Sequence, residues 1–281
     1  MANEKWTHVI KPKTGLFDIN LKEIWQYKDL VFMFVKRNFT TFYKQTILGP
    51  LWFIINPLLT TLMFTLVFGN IAKLSTDGAP QFLFYMAGNT VWIYFSTCIT
   101  STSTTFTTNA TIFGKVYFPR LTTPISSVIF SLISFGVQFA MFVIFLLFYV
   151  FTGSGVKPNL WILITPLLIL QTAGLGLGFG IIISSLTTKY RDLAILVTFG
   201  VQLWMFATPI VYPVSQISGK LKLLFMLNPM TPIVETFRYA FLGSGEINGM
   251  YLVISGIVTL VVMFIGVILF SRIEKTFMDT V

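Results

Sequence analysis

The apolar residues of this chain fall into six long runs that contain no charged side chain. The runs cover residues 45–72, 78–114, 121–156, 158–188, 193–219 and 247–271. A helix needs about 20 apolar residues to cross a hydrocarbon core roughly 30 Å thick, and every run is long enough to do so. The pattern therefore predicts six membrane-spanning helices. We place their cores at 51–69, 82–106, 125–150, 160–185, 193–211 and 249–270.

The first span is expected to begin at Gly49-Pro50. Proline fits the first turn of a helix, where its missing N–H would have no partner in any case. Trp52 follows at the level where an indole ring meets the lipid headgroups. This boundary divides the chain into a cytoplasmic N-terminal segment, 1–44, and a transmembrane domain, 45–281.

An amphipathic helix is predicted just before the first span. Asn20 and Glu23 have the spacing of a capping box at its start. Apolar residues then recur at helical spacing, while Lys36 and Arg37 extend a basic polar face. Such a helix lies in the membrane interface and does not cross the bilayer. An ordinary surface helix of a small cytoplasmic domain remains the alternative.

The segment 212–246, between the fifth and sixth spans, is too polar to span and too apolar for a simple loop. It contains two short helical runs separated by Asn228-Pro229. We predict a helical hairpin that dips partway into the outer leaflet, which requires packing on protein or a lined cavity. Glu235 and Arg238 are three residues apart and are expected to pair, in a structural role.

Composition supports a membrane protein. Of the 281 residues, 55% are hydrophobic and 10% are charged, and the mean hydropathy is +0.81. Soluble domains carry about 25% charged residues. The single cysteine, Cys98, lies inside an apolar run and excludes an intrachain disulfide.

The net charge of +9 is explained by topology. With the N-terminus inside, 14 lysine and arginine residues lie in predicted cytoplasmic segments and 5 lie on the other side. The positive-inside rule therefore places both termini in the cytoplasm. No nucleic-acid partner is needed to account for the basic balance.

Enzymatic and metal chemistry find no support in the sequence. No Walker A pattern occurs, so ATP binding in this chain is not predicted. His8 and Cys98 are the only soft metal ligands and lie far apart, so we expect no metal site. None of the six cores contains a carboxylate, which argues against ion-coupled carriers and membrane hydrolases. No catalytic residue is assigned.

Two patterns lie within the spans. Gly174 and Gly178, like Gly176 and Gly180, are four residues apart and would let neighbouring helices approach closely. Residues 97–108 are rich in threonine and serine, and could line a translocation path or bond back to their own helix.

Several short motifs occur in order along nearly the whole chain. They are Tyr43-Lys44, Leu48-Gly49-Pro50-Leu51-Trp52, Asn56-Pro57, Lys115-Val116-Tyr117-Phe118-Pro119-Arg120, Lys189-Tyr190-Arg191-Asp192, Thr208-Pro209-Ile210-Val211-Tyr212-Pro213, and Asn228-Pro229 followed by Glu235 and Arg238. Together they resemble the permease subunits of type-2 ABC exporters, above all those of polysaccharide export, which serve O-antigen, capsule and wall teichoic acid.

The resemblance implies a homodimer of six-span subunits in the bacterial inner membrane, paired with a separate ATPase subunit that binds ATP and magnesium. It assigns coupling to the ATPase to Phe113, Lys115, Tyr117, Phe118 and Arg120. The neighbouring interface helix would contribute Trp25, Lys36 and Arg37. An outer gate would contain Tyr212, Pro213, Asn228, Pro229, Glu235 and Arg238.

The cargo implied by the resemblance is a lipid-linked glycan, O-antigen before capsule or teichoic acid. Arg37 and Lys44 are our candidates to meet its pyrophosphate, against a default role in binding anionic membrane lipids. A permease of the same fold for small lipids or drugs, and a channel or scaffold without an ATPase, remain open alternatives.

Overall fold

The computed structural model describes residues 21–44, 47–188, 190 and 192–280, with side chains given from 23 to 274 within these ranges. The α-helices are α1 (Leu21–Gln26), α2 (Lys28–Lys44), α3 (Trp52–Phe64), α4 (Gln81–Ser103), α5 (Thr105–Phe113), α6 (Thr122–Phe151), α7 (Thr165–Thr187), α8 (Leu193–Phe206), α9 (Gly219–Leu227), α10 (Met230–Leu242) and α11 (Gly249–Thr280). No β-strand occurs in these ranges. The predicted all-α fold is confirmed; Asn20, Lys189 and Arg191 lie outside the described residues.

Five helical segments are long and apolar enough to cross a membrane: Gly49–Ile71, Gln81–Ser103, Thr122–Phe151, Leu160–Thr187 and Gly249–Glu274. The first combines a 3-10 turn, α3 and a π-helical turn at Thr65–Ile71. The chain is therefore an integral membrane protein, as its sequence predicted.

The predicted fifth span differs from the observed helix. We expected a core at 193–211, but α8 ends at Phe206, and its 14 residues extend about 21 Å. The chain then turns at Thr208-Pro209-Ile210, where Thr208 and Ile210 are buried against the protein. A count of six spans remains a prediction. So does the depth of the hairpin, although its two short helices are observed as α9 and α10.

Helix α4 lies at the centre of the bundle. It packs against α3, α6, α7, α8 and α10, and most of its side chains are buried. By contrast, only Phe53, Pro57 and Thr61 of α3 are buried, so most of that helix is left for lipid. A membrane helix buried on all sides must meet protein throughout, which makes α4 the core of this fold.

The glycines of α7 pack as predicted. A Cβ on Gly176 or Gly180 would meet Cys98 or Thr102 of α4, whereas a Cβ on Gly174 or Gly178 would meet α11. The four glycines thus form two faces of one helix, and each lets a neighbouring backbone come close. This arrangement holds α4, α7 and α11 together.

The contacts also fix the directions of these helices. Along α7, residues 171, 174 and 178 meet residues 255, 259 and 263 of α11, so the two helices run parallel. Residues 176 and 180 of α7 meet residues 98 and 102 of α4, which is parallel as well. We call the end of the bundle where α4 begins the top, and the end where α4 finishes the base.

The hydroxyl-rich stretch 97–108, at the end of α4 and the start of α5, bonds to its own backbone. Six of its serine and threonine hydroxyls donate to carbonyls three or four residues earlier in the chain, and they belong to Thr100, Ser101, Thr102, Ser103, Thr105 and Thr107. Of the two readings that the sequence left open, the structure supports this one. The hydroxyls have satisfied hydrogen bonds without a polar pathway.

Candidate functional sites at the two ends of the bundle

The 113–120 loop joins α5 to α6 at the base. Helix α5 ends at Phe113, and the residues from 114 to 121 are not helical. Thr122 and Thr123, at the start of α6, donate hydroxyl hydrogen bonds to the carbonyls of Pro119 and Arg120, both at 2.8 Å. These bonds pin the end of the loop to α6.

Aromatic side chains bury the loop against the helices around it. Phe118 lies 5.6 Å from Phe34 of α2 and 5.7 Å from Phe113, measured between ring centroids. Phe106 of α5 stacks on Phe270 of α11 at 4.5 Å. We call this set the basal cluster; its buried members are Phe34, Phe106, Phe113, Phe118, Leu121, Ile181 and Phe270. It joins α2, the loop and α11 in one apolar core.

Two hydrogen bonds connect the same loop to both described ends of the chain. The Tyr117 hydroxyl donates to the Glu23 carboxylate at 3.2 Å, and Arg120 donates to the backbone carbonyl of Glu274 at 2.8 Å. The Arg120 guanidinium also lies 5.4 Å from the centre of the Phe113 ring. Burial lowers the pKa of Arg120, and the charge of Glu274 opposes that shift. Helix α1 and the final turns of α11 therefore meet at the base.

The basic residues of α2 face away from the protein. Val31, Phe34 and Val35 form its buried side, whereas Lys36, Arg37 and Lys44 are exposed. The Arg37 guanidinium lies 4.8 Å from the centre of the Phe34 ring, so its position is linked to the basal cluster. Trp25 is 73% exposed on α1, beside Lys28. Lys115 and Tyr117 are exposed on the loop.

The predicted Glu235–Arg238 pair forms near the top. The two side chains are buried and approach to 3.4 Å. Arg238 also donates hydrogen bonds to the carbonyls of Pro209 and Ile210, and its guanidinium lies 3.7 Å from the centre of the Phe84 ring. Gly88 of α4 makes the space, because a Cβ there would come within 2.5 Å of the guanidinium. Arg238 thus fastens α10 and the turn after α8 to α4.

Asn228 makes a second junction in the same region. Its amide nitrogen donates to the Ala207 carbonyl and the Thr208 hydroxyl, both at 2.9 Å. Its amide oxygen accepts from the Trp204 indole at 3.2 Å and from the Met230 backbone at 3.1 Å. One side chain therefore ties the end of α8 to the start of α10. We call Asn228, Glu235 and Arg238, with their partners, the polar network.

The remaining predicted gate residues lie around this network. The Tyr212 hydroxyl donates to the Phe206 carbonyl, and burial raises the pKa of Tyr212. Pro213 begins the extended link to a short turn at Val214–Gln216. The carbonyl of Pro229 accepts from Ser255 of α11 at 2.6 Å. Burial raises the pKa of Glu235 to about 6, against the attraction of Arg238.

Comparison with known proteins assigns the family. A protein-family model described as ABC-2 type transporter matches residues 29–242, which reach from α2 to the end of α10. The chain belongs to the ABC-2 type transporter family. Membership in this family implies a partner ATPase subunit. The match contains both the 113–120 loop and the polar network, so both belong to the family domain.

Two relatives cover most of this ABC-2 type transporter chain. An O-antigen export system permease protein, RfbA, of Klebsiella pneumoniae is 27% identical over 252 residues, which are 89% of this chain and 94% of the relative. The protein of the same name from Myxococcus xanthus is 28% identical over 223 residues, or 79% of this chain and 83% of the relative. The resemblance found in the sequence motifs is thereby confirmed.

Sequence reasoning missed the part that the last helix plays at the base. Phe270 and Glu274 stand just where the final apolar run gives way to charges, and they were counted only as the end of a span. The available signal was the change, within about one helical turn, from the final apolar run to aromatic and charged residues. The acceptors of Arg238 were also missed, since backbone carbonyls leave no mark in a sequence.

Proposed function

We propose that this chain is the permease subunit of an ATP-driven exporter that moves lipid-linked O-antigen polysaccharide across the bacterial inner membrane. The observation that carries the proposal is the alignment of 89% of the chain with a permease of that name. ATP and magnesium are bound and ATP is hydrolysed in the separate ATPase subunit, while this chain provides the passage.

Six spans with both termini in the cytoplasm are part of the proposal. Since α7 and α11 run parallel, the chain between them has to return from the base to the top. Helix α8 and the turn at residues 207–210 make that return. At the base, the Thr187 hydroxyl at the end of α7 donates to the Ser103 carbonyl. Toward the top, Ile210 lies next to Gly88 of α4. The base, where α1 and the end of α11 meet, is then cytoplasmic.

The 113–120 loop and α2 are the proposed contact with the ATPase. Exposed Lys115 and Tyr117 are accessible to a partner, whereas buried Phe118 and Phe113 carry any displacement into the basal cluster. Tyr117 and Arg120 connect the same loop to α1 and to α11. ATP-driven movement of the partner would therefore reach three helices through one short segment.

The glycan passes between two copies of the chain in this proposal. The centre of a single copy is filled by α4 and its neighbours, which supports a passage outside that core. Helices α9 and α10, held by the polar network, form the outer gate. Arg37 and Lys44 would bind the pyrophosphate of the lipid carrier, which their exposure and their spacing of seven residues on α2 support.

Depletion of the protein in cells tests the proposed export. Lipid-linked polysaccharide is expected to accumulate on the cytoplasmic side while surface polysaccharide is lost. Re-expression of the chain together with its ATPase should restore the surface signal. Unchanged surface polysaccharide after depletion would contradict the proposal and favour a permease for small lipids or drugs.

The coupling assignment has a matched pair of tyrosines. Tyr117→Phe removes the hydrogen bond to Glu23, and Tyr190→Phe alters another exposed tyrosine at the base. Combined with Arg120→Gln, Tyr117→Phe should abolish export while membrane insertion stays normal; Tyr190→Phe should export as wild type. Normal export by the double variant would remove the loop from the mechanism.

The pyrophosphate assignment is tested by charge reversal. Arg37→Glu with Lys44→Glu should stop export and leave the basal ATP hydrolysis of the complex intact. Lys157→Glu, which changes an exposed lysine in the loop between α6 and α7, serves as the control. If the double reversal exports normally, the two residues have no role in holding the lipid carrier.

A further inference from the structure

A cavity of about 360 Å³ opens at the top of the bundle, beside the polar network. It lies between the link that joins the first span to α4, the helices α9 and α10 and the first turn of α11. Its polar lining comes from Asp77, Ser215, Lys222, Glu235, Glu246, Asn248 and Tyr251. Apart from Glu235, none of these residues takes part in the polar network or in the base, so the cavity is a separate site.

Glu235 forms the buried wall of the cavity and offers an acceptor that is not in use. Its side chain is 6% exposed, and its Oε1 faces Arg238 at 3.4 Å. No residue in the described ranges donates a hydrogen bond to its other oxygen, Oε2. Gly245 leaves Oε2 accessible, because a Cβ at that position would lie 2.9 Å from it. Oε2 therefore faces the cavity, where it can accept a hydrogen bond from water or from the hydroxyl group of a ligand.

The rim of the cavity adds further acceptors and one aromatic ring. The Asp77 carboxylate accepts from the Ser215 hydroxyl at 2.7 Å, and Lys222 lies 3.6 Å from the Glu246 carboxylate. The amide oxygen of Asn248 is taken by the Met250 backbone, which leaves its amide nitrogen as a donor. Tyr251 contributes an apolar ring face and a hydroxyl.

This lining matches a ligand that carries many hydroxyl groups. Carboxylates accept short, strong hydrogen bonds from hydroxyl donors, and an aromatic face suits the C–H surface of a sugar ring. Within the described part of the chain, no group of three or more metal-ligating side chains is placed to hold a metal ion. The volume lies within the range of small-molecule sites, about 300–1,000 Å³.

We propose that this cavity binds one neutral sugar unit of a glycan at the exit side of the transporter, with Glu235 Oε2 and Asp77 accepting from sugar hydroxyls and Tyr251 covering a ring face. The choice of a sugar over another polyol rests on the proposed function. The site would hold the emerging chain next to the gate helices α9 and α10.

The test uses the intact transporter, this chain with its ATPase, in lipid nanodiscs. Methyl glycosides of glucose, galactose and mannose are the probes, and saturation-transfer NMR reports their binding. At least one glycoside is expected to bind wild type. Asp77→Asn and Tyr251→Leu should each weaken that binding about tenfold, the loss expected for one charge-assisted or stacking contact.

Glu235→Gln should abolish glycoside binding, and a melting curve shows whether that variant is folded. If Glu235→Gln does not fold, because Glu235 also belongs to the polar network, the variants Asp77→Asn and Tyr251→Leu decide whether the cavity binds the glycoside. Asp192→Asn, an exposed carboxylate at the start of α8 at the base, is the control and should bind as wild type.

Three results would overturn the site: no glycoside binding by wild type, equal binding by all variants, or binding of calcium or methylammonium in place of glycosides. Export by depleted and complemented cells is measured in parallel. Intact export without glycoside binding overturns the cavity alone. Unchanged surface polysaccharide after depletion overturns the proposed function, whatever the cavity binds.

Discussion

Different interactions stabilise the base and the top of this protein. At the base, aromatic rings of α2, α5, the 113–120 loop and α11 bury one another. At the top, Arg238 and Asn228 bind backbone carbonyls and side chains of the turn after α8. Apolar burial has no preferred direction, whereas hydrogen bonds weaken steeply when their geometry changes.

This difference indicates how each end responds to displacement. Rings in the basal cluster can shift by fractions of an ångström and remain in contact, so the base can follow a moving partner. The polar network keeps its bonds or loses several together, because Arg238 and Asn228 each hold more than one partner. The base is therefore expected to tolerate small displacements better than the top.

The largest loss of stability is expected from disrupting the polar network at the top. Arg238→Met leaves Glu235 and two carbonyls buried without their donor and should cost about 3–5 kcal/mol of stability, the range for removing one partner of a buried ion pair. Thermal unfolding of the purified protein measures this loss. The double variant Arg238→Met with Glu235→Leu should recover part of it. A fall in melting temperature no larger than that of an exposed substitution would refute the network.

Disruption of the base should cost nearly as much but depend more on volume. Phe118→Ala removes a ring that contacts Phe34 and Phe113, and we expect a loss near 3 kcal/mol. Phe118→Leu should lose less than half of that, since neighbouring rings can close around it. Chemical denaturation of the two variants gives the comparison. Equal losses of stability in the alanine and leucine variants would show that the base depends on exact geometry as much as the top does.

A smaller loss of stability is expected from a substitution in α7 where it packs against α4. Gly180→Ala would place a Cβ 1.6 Å from the Thr102 hydroxyl oxygen and force α7 and α4 apart, at a cost of about 1–3 kcal/mol. Gly136→Ala in α6 meets nothing within 4 Å and should be neutral or slightly stabilising. Melting temperatures of the pair test whether close packing of α7 is required.

The local features of this fold could be predicted from the sequence, and the tertiary ones could not. Apolar run length located the five long helices, and glycine spacing located the close faces of α7. The Glu235–Arg238 pair followed from spacing on one helix. The early end of α8 was missed, because the prediction followed the apolar character of residues 207–211 and gave too little weight to Pro209, which disfavours the continuation of a helix. The bond from Arg120 to Glu274 was missed as well, because it joins residues 154 positions apart.

The candidate sites show the same division. Tyr117, Phe118 and Arg120 were named from a motif, but the helices they contact emerged only from the packing. The cavity at the top joins Asp77, Glu235 and Tyr251, which lie in three different segments of the chain. No window of sequence brings such residues together, so a site of this kind is visible only once the segments have folded.

Helix α11 is long enough to connect the base of the bundle with the cavity at the top. Helix α11 runs for 32 residues, about 48 Å, which exceeds the thickness of the hydrocarbon core by several turns. Near the base, its Glu274 carbonyl accepts a hydrogen bond from Arg120, and at the opposite end its Tyr251 lines the cavity. Because α11 is continuous and packs along α7 through Gly174 and Gly178, it joins Glu274 and Tyr251 in one rigid element. A displacement of α11 at Glu274 would therefore also move Tyr251 and the wall of the cavity.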